Sequence, residues 1–159
     1  MTIGEVVENM GRMEYFNFIE EKLSTLATRA SLRSNLNLID LNIHSENFFA
    51  SLLNLLFDLE LSNVNTDKHN IESIDLIDTK NRIVVQVSAT ATKQKIEKTL
   101  SKPILKDHTD FSLWFIFIGN KDCGTLMKGK YKNPYGISFK PQENIFYLKK
   151  MLSIIQNFS

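Results

Sequence analysis

Apolar residues recur at three- and four-residue steps along the first part of the chain: Val6, Met10, Met13, Phe16, Ile19, Leu23 and Leu26. That spacing lines one stripe and predicts a helix from about Gly4 to Arg33. The polar stretch "RSNLNLIDLNI" follows, after which Ser45 is placed to cap a second helix. The body of that helix, "ENFFASLLNLLFDLEL", is apolar on most faces, which predicts burial against a sheet. "NVNTDKHN" is turn chemistry. Two strand-like runs, "IESIDLID" and "RIVVQVS", are joined by "TKN", which suits a hairpin. Thr90 or Thr92 can cap the helix "KQKIEKTLSK", which Pro103 stops. "FSLWFIFIG" has the composition of a buried strand, with Trp114 and Phe115 as core residues. Residues 119–135 form a basic loop, "GISF" a short strand, and Glu143 to about Gln156 a closing helix. The predicted order is α-α-β-β-α-β-β-α, an α/β domain around a small mixed sheet flanked by helices.

At 159 residues and 43% hydrophobic, the chain suits one well-buried domain, 1–159. The most apolar run, "SLWFIFIG", is far below the roughly 18 residues of a spanning helix, so no membrane partner is expected. The N-terminal "MTIGEVVENMGRMEYF" carries acids and a helical pattern unlike a signal peptide, and the chain reads as soluble and cytoplasmic. Cys123, the single cysteine, excludes a disulfide framework and a cysteine-based zinc site. His44, His69 and His108 have no metal-ligand spacing.

Net charge is +1, but residues 1–78 hold 5 Lys/Arg and 13 Asp/Glu, a balance of −8. Residues 79–159 hold 14 Lys/Arg and 5 Asp/Glu, a balance of +9. Such asymmetry points to a polyanionic partner or to halves that attract each other. Lys128, Lys130 and Lys132, around Tyr131 and Tyr135, are nucleic-acid candidates; a solvated loop is the alternative.

The chemistry concentrates in residues 73–100. Along a strand side chains alternate faces, so Gln86 and Ser88 point one way while Ile83, Val85 and Val87 point the other and supply core. Across the hairpin, Asp75 is placed beside Gln86. A polar pair on a buried strand needs partners or a purpose, because an unpaired buried amide costs about 1–3 kcal/mol. An Asp with oxygen neighbours is what Mg²⁺ prefers, and such an ion activates water and stabilises charge on a phosphodiester. A purely structural hydrogen-bond pair inside the sheet is the alternative.

The Asp strand, the hairpin, the second strand with its two-residue spacing and the following helix resemble the PD-(D/E)XK nuclease superfamily, which implies a restriction-endonuclease-like fold. There the first Asp, the acid of the second motif and the carbonyl after it hold the metal, and a lysine two residues on helps activate water. The resemblance assigns Asp75, Gln86 and the Val87 carbonyl as ligands of Mg²⁺ or Mn²⁺. Gln stands in place of the second acid in some members, the Mrr-like restriction nucleases among them. Glu46 matches the acid that many such nucleases carry on the preceding helix; a favourable first-turn acid is the alternative. Ser88 stands in the lysine position, where a neutral hydroxyl supplies no positive charge. Lys95, on the following helix, is the candidate for a relocated catalytic lysine, and Lys93 beside it for phosphate contact. A solvated charge is the alternative for both. Ser88, Thr90 and Thr92 read most simply as strand-end and capping hydroxyls.

Through "SENFFASLLNLLF", "IDLID", "VVQVSATATKQKIEKTL" and "NIFYLKKMLSII", residues 5 to 155 also resemble the bacterial SMEK-domain family. Members often stand at the N-terminus of larger proteins linked to anti-phage defence. The resemblance implies a metal-dependent endonuclease-like domain acting on DNA, with a partner protein or fused effector domain and room for a homodimer. The competing expectation is a non-cutting module of the same fold that binds nucleic acid or protein as an adaptor.

Overall fold

The computed structural model describes residues 11–33, 39–64, 74–119 and 121–157. Within them the helices are α1 (Arg12–Arg33), α2 (Ile39–Phe57), α3 (Lys93–Leu100), α4 (Gly124–Met127), α5 (Pro141–Asn144) and α6 (Leu148–Gln156), with a 3₁₀ turn at Pro103–His108. The strands are β1 (Ser62–Asn63), β2 (Leu76–Asp78), β3 (Ile83–Ser88), β4 (Ser112–Phe117) and β5 (Ile145–Tyr147), and they lie in the sheet in chain order. β1, β2 and β3 pair antiparallel; β3–β4 and β4–β5 pair parallel. The result is a mixed α/β fold, and α3 with the 3₁₀ turn makes the crossover that a parallel β3–β4 pair requires.

Both faces of the sheet are buried. Ile83 and Val85 of β3, with Ile116 and Phe146, pack against α1, α2 and α6. Val84, Leu113, Phe115 and Ile145 pack against Ile96 and Leu100 of α3 and Leu105 of the 3₁₀ turn. The face that carries Gln86 is therefore as apolar below as the opposite one, and the domain is layered helix, sheet, helix. Trp114 is partly buried against the core, meeting Phe57 and Phe146 at ring-centroid distances of 5.5 and 5.2 Å, and Phe115 is a fully buried core residue, as its sequence context predicts.

Several boundaries differ from the sequence expectation. α1 covers residues 12–33 of the predicted first helix; residues 4–10 lie outside the described part. α2 begins at Ile39, so Ser45 is not its cap but an interior residue, only 1% exposed. The Asn- and Asp-containing "IDLNIH" is helical here although its propensity is weak, a preference that context routinely overrides. The helix stops at Phe57, short of the predicted Leu61, because Asp58 takes φ 55°, the left-handed conformation that ends helices. "GISF" is no strand: Ser138 makes one isolated bridge to Ser112. The predicted closing helix is split into α5, β5 and α6. Ile145, Phe146 and Tyr147 leave it to pair with Phe115, Ile116 and Phe117, which satisfies the open edge of β4. The hairpin between β2 and β3 forms as read, and Thr92 rather than Thr90 caps α3.

Among the described residues no helix is long and apolar enough to cross a membrane.

Candidate functional site

A cavity of about 310 Å³ lies where β3 ends, lined by Glu46, Asp75, Gln86, Val87, Ser88, Ala89, Thr90, Lys95 and Ile118. Its position follows from topology. β3 and β4 are parallel, and the chain turns away from both at their carboxyl ends, leaving a crevice of the kind that binds ligands in α/β sheets. α2 brings Glu46 to it, the approach to β2 brings Asp75, and the first turn of α3 brings Lys95. The four side-chain candidates Glu46, Asp75, Gln86 and Lys95 thus meet at one cavity, although they are spread over 50 positions of the chain.

Asp75 and Gln86 stand side by side as the strand alternation predicts. Gln86 Nε2 donates to Asp75 Oδ2 at 2.7 Å, and the Val87 backbone N–H donates to the same oxygen at 2.7 Å. Both side chains are buried, Asp75 at 8% and Gln86 at 5% exposure. Glu46 is 6% exposed and accepts from Asn63 Nδ2 at 2.9 Å. It lies two turns into α2 and not in the first turn, so a favourable interaction with the helix N-terminus does not account for it.

Ser88 has a local task. Its hydroxyl accepts from the Thr90 backbone N–H at 3.0 Å, closing the turn that leads from β3 into α3. Lys95 is held through its backbone at both ends: its N–H donates to Thr92 Oγ1 at 3.1 Å, and its carbonyl accepts from Thr99 Oγ1 at 2.8 Å. Its side chain is half-buried against the cavity, whereas Lys93 is exposed.

Two contributors escaped sequence reasoning. Lys102, between α3 and the 3₁₀ turn, donates from Nζ to Gln86 Oε1 at 3.0 Å. Asn63, in the two-residue strand β1, holds Glu46. Neither has a local signal, since each acts across 16 or 17 positions of chain.

The candidate nucleic-acid loop is docked. Tyr131 Oη donates to the Leu126 carbonyl, and the Lys132 backbone N–H donates to Glu97 Oε2 of α3 at 2.7 Å. The loop therefore lies beside the helix that carries Lys95, with Lys128, Lys130 and Lys132 exposed. Along the same carboxyl edge of the sheet, a second cleft of about 340 Å³ is lined by Lys121, Asp122, Tyr147, Leu148, Lys149 and Leu152. Burial raises the Tyr147 hydroxyl above its ordinary pKa, with the carboxylate of Asp122 adding to the effect. Burial likewise pushes the Cys123 thiol up to about 11, so it is not a thiolate nucleophile.

The donor set at the first cavity suits a hard cation. Its candidate side-chain ligands are carboxylates and an amide, and no imidazole or thiolate lines it. Among the described residues no cluster of three or more His, Cys, Asp or Glu is present, and the cavity offers two carboxylates, Glu46 and Asp75, beside the Gln86 amide and backbone oxygen. That number is enough for Mg²⁺, which commonly takes one or two. His108 is engaged elsewhere, with Nδ1 2.8 Å from the Ile104 carbonyl, and His69 lies outside the described residues.

The fold and cavity define a mixed α/β domain with an acid–lysine pocket at the carboxyl ends of its parallel strands. A family model, the SMEK domain, matches residues 18–156, and the chain belongs to that family. No curated protein and no solved structure matches it.

Proposed function

We propose that this chain is a divalent-cation-dependent nuclease domain acting on DNA phosphodiesters, with the cavity at the end of β3 as its active site. The observation that carries the reading is the convergence of two nearly buried carboxylates, Glu46 and Asp75, and one lysine, Lys95, on one polar cavity. Buried carboxylates are seldom left without positive charge or hydrogen bonds, because desolvating an ion is costly. In this reading Asp75, Glu46 and the Val87 carbonyl hold Mg²⁺ or Mn²⁺. When bound, such an ion supplies positive charge against the phosphate and makes water more acidic. The rest falls to the chain itself. Lys95 stands on a capped helix end, where its ammonium orients the attacking water in place of the lysine that Ser88 lacks. The exposed Lys93, Lys128, Lys130 and Lys132 meet flanking phosphates, which fixes register on the nucleic acid without reading sequence.

The cation site is tested by melting curves. Mg²⁺ or Mn²⁺ raises the melting temperature of the wild type, since a ligand that binds only the folded state stabilises it. Asp75→Ala abolishes the rise; an equal rise in both proteins removes Asp75 from the site.

One observation favours a second reading, a non-cutting module that binds nucleic acid or protein. The Ser88 hydroxyl is committed to the β3–α3 turn, so the position to which the resemblance to PD-(D/E)XK nucleases gives a lysine carries a turn-closing hydroxyl here.

A further inference from the structure

Gln86 stands between two partners of opposite kind. A lysine ammonium has three donors and no acceptor, so the Gln86 atom 3.0 Å from Lys102 Nζ is the amide oxygen. An ionised carboxylate only accepts, so the atom 2.7 Å from Asp75 Oδ2 is the amide nitrogen. The two contacts select the same orientation, and reversing the amide would break both at once. Lys102, Gln86 and Asp75 thus form a chain in which a cation acts on a carboxylate through one polarised amide, inside a region where such networks are stronger than in water.

We propose that Lys102 is a positioning residue of this site: its ammonium fixes the Gln86 oxygen, so that Gln86 presents its NH₂ group to Asp75 and acts as a strut between lysine and carboxylate instead of as a cation ligand. The inference deepens the nuclease reading and rests on it for the purpose of the strut, but the strut itself is independent of any reaction. It also accounts for the amide at this position. A carboxylate here would pair directly with Lys102 and face Asp75 with like charge, whereas an amide satisfies donor and acceptor together. Asp75 Oδ2 takes hydrogen bonds from two sources, Gln86 Nε2 and the Val87 N–H, so the carboxylate plane is set by the sheet before any ligand arrives. With Lys102 the site counts two acids, Glu46 and Asp75, against two lysines, Lys95 and Lys102.

The test is the side-chain carbonyl carbon signal of Gln86 in the full chain, followed by NMR in wild type, Lys102→Met and Lys102→Arg, without metal and during Mg²⁺ titration. Without metal, Lys102→Met moves the signal away from its wild-type position, while Lys102→Arg, which keeps charge and donors, leaves it close to wild type. During titration of the wild type, the carboxyl signals of Asp75 and Glu46 move as those of direct ligands do, and the Gln86 carbonyl, coupled to Asp75 only through its amide, moves much less. In Lys102→Met the affinity for Mg²⁺ falls about 10- to 100-fold, the usual loss when the outer partner of a ligand is removed, and Lys102→Arg restores it. The proposal is overturned if Lys102→Met leaves the metal-free Gln86 signal in place, or if Mg²⁺ shifts that signal in the wild type as a ligand's would shift. Failure of the nuclease reading looks different: Mg²⁺ then moves no carboxyl signal, while the dependence of Gln86 on Lys102 stands.

Discussion

At Asp75 and Asp78, two acids of one short motif do different work. Asp75 faces the cavity and Gln86, while Asp78 is fully buried at the hairpin. Asp78 Oδ2 accepts from the Glu60 N–H at 2.6 Å and from Asn81 Nδ2 at 2.7 Å, and Oδ1 accepts from the Asn81 N–H at 2.8 Å. Burial alone would raise its pKa, but the Asn81 side chain and the backbone N–H groups of Asn81, Glu60 and Lys80 together hold it below the ordinary carboxylate value. A depressed folded pKa means stability that is present above the ordinary value and lost as pH falls through the lowered one. Asp78→Asn is therefore expected to cost about 1–3 kcal/mol at neutral pH, the usual cost of leaving buried donors poorly matched. It is also expected to flatten the acid side of the stability curve. Denaturant melts at a series of pH values check both, and identical acid limbs in the two proteins would contradict the assignment.

At the scale of elements, α3 is the lever of the site, since it carries Lys95 at its start and leads into Lys102 at its end. Thr92 Oγ1 caps it by accepting from the Lys95 N–H itself. Thr92→Ala is expected to cost about 1 kcal/mol and to slow cleavage through a displaced Lys95, with Thr92→Ser restoring both. A stability loss with unchanged cleavage would separate the helix end from the chemistry. How much of this was legible follows from range. The Asp75–Gln86 pair is readable because strand alternation and a short hairpin fix it locally, and the α3 cap is readable down to Thr90 or Thr92 because a cap acts within one turn. Strand β5 was not, because Ile145, Leu148, Met151 and Ile155 also fit a helical stripe and nothing local reveals that β4 has an edge to cover. Lys102 is, in the sequence, only the last residue of "KQKIEKTLSK"; the packing of α3 on the sheet brings it to Gln86.

Across the whole molecule, the acidic first half supplies Glu46 and Asp75 to the cavity, while the basic second half supplies Lys95 to its lining and Lys102 through Gln86. The docked 128–132 loop extends the basic side beside α3. Nucleic-acid affinity is expected to fall steeply with salt, and neutralising Lys128, Lys130 and Lys132 together to flatten that slope by about 2–3 in log–log terms. Filter-binding or anisotropy titrations over a salt series measure it, and an unchanged slope would remove the loop from the interface. Whether this cavity cuts phosphodiesters, as proposed, is decided by incubating the purified chain with linear, supercoiled and single-stranded DNA in Mg²⁺ or Mn²⁺. Metal-dependent cleavage by the wild type is expected, and its loss in Lys95→Ala with fold and DNA affinity nearly intact. Wild-type protein that binds these substrates and cuts none of them would contradict the proposal.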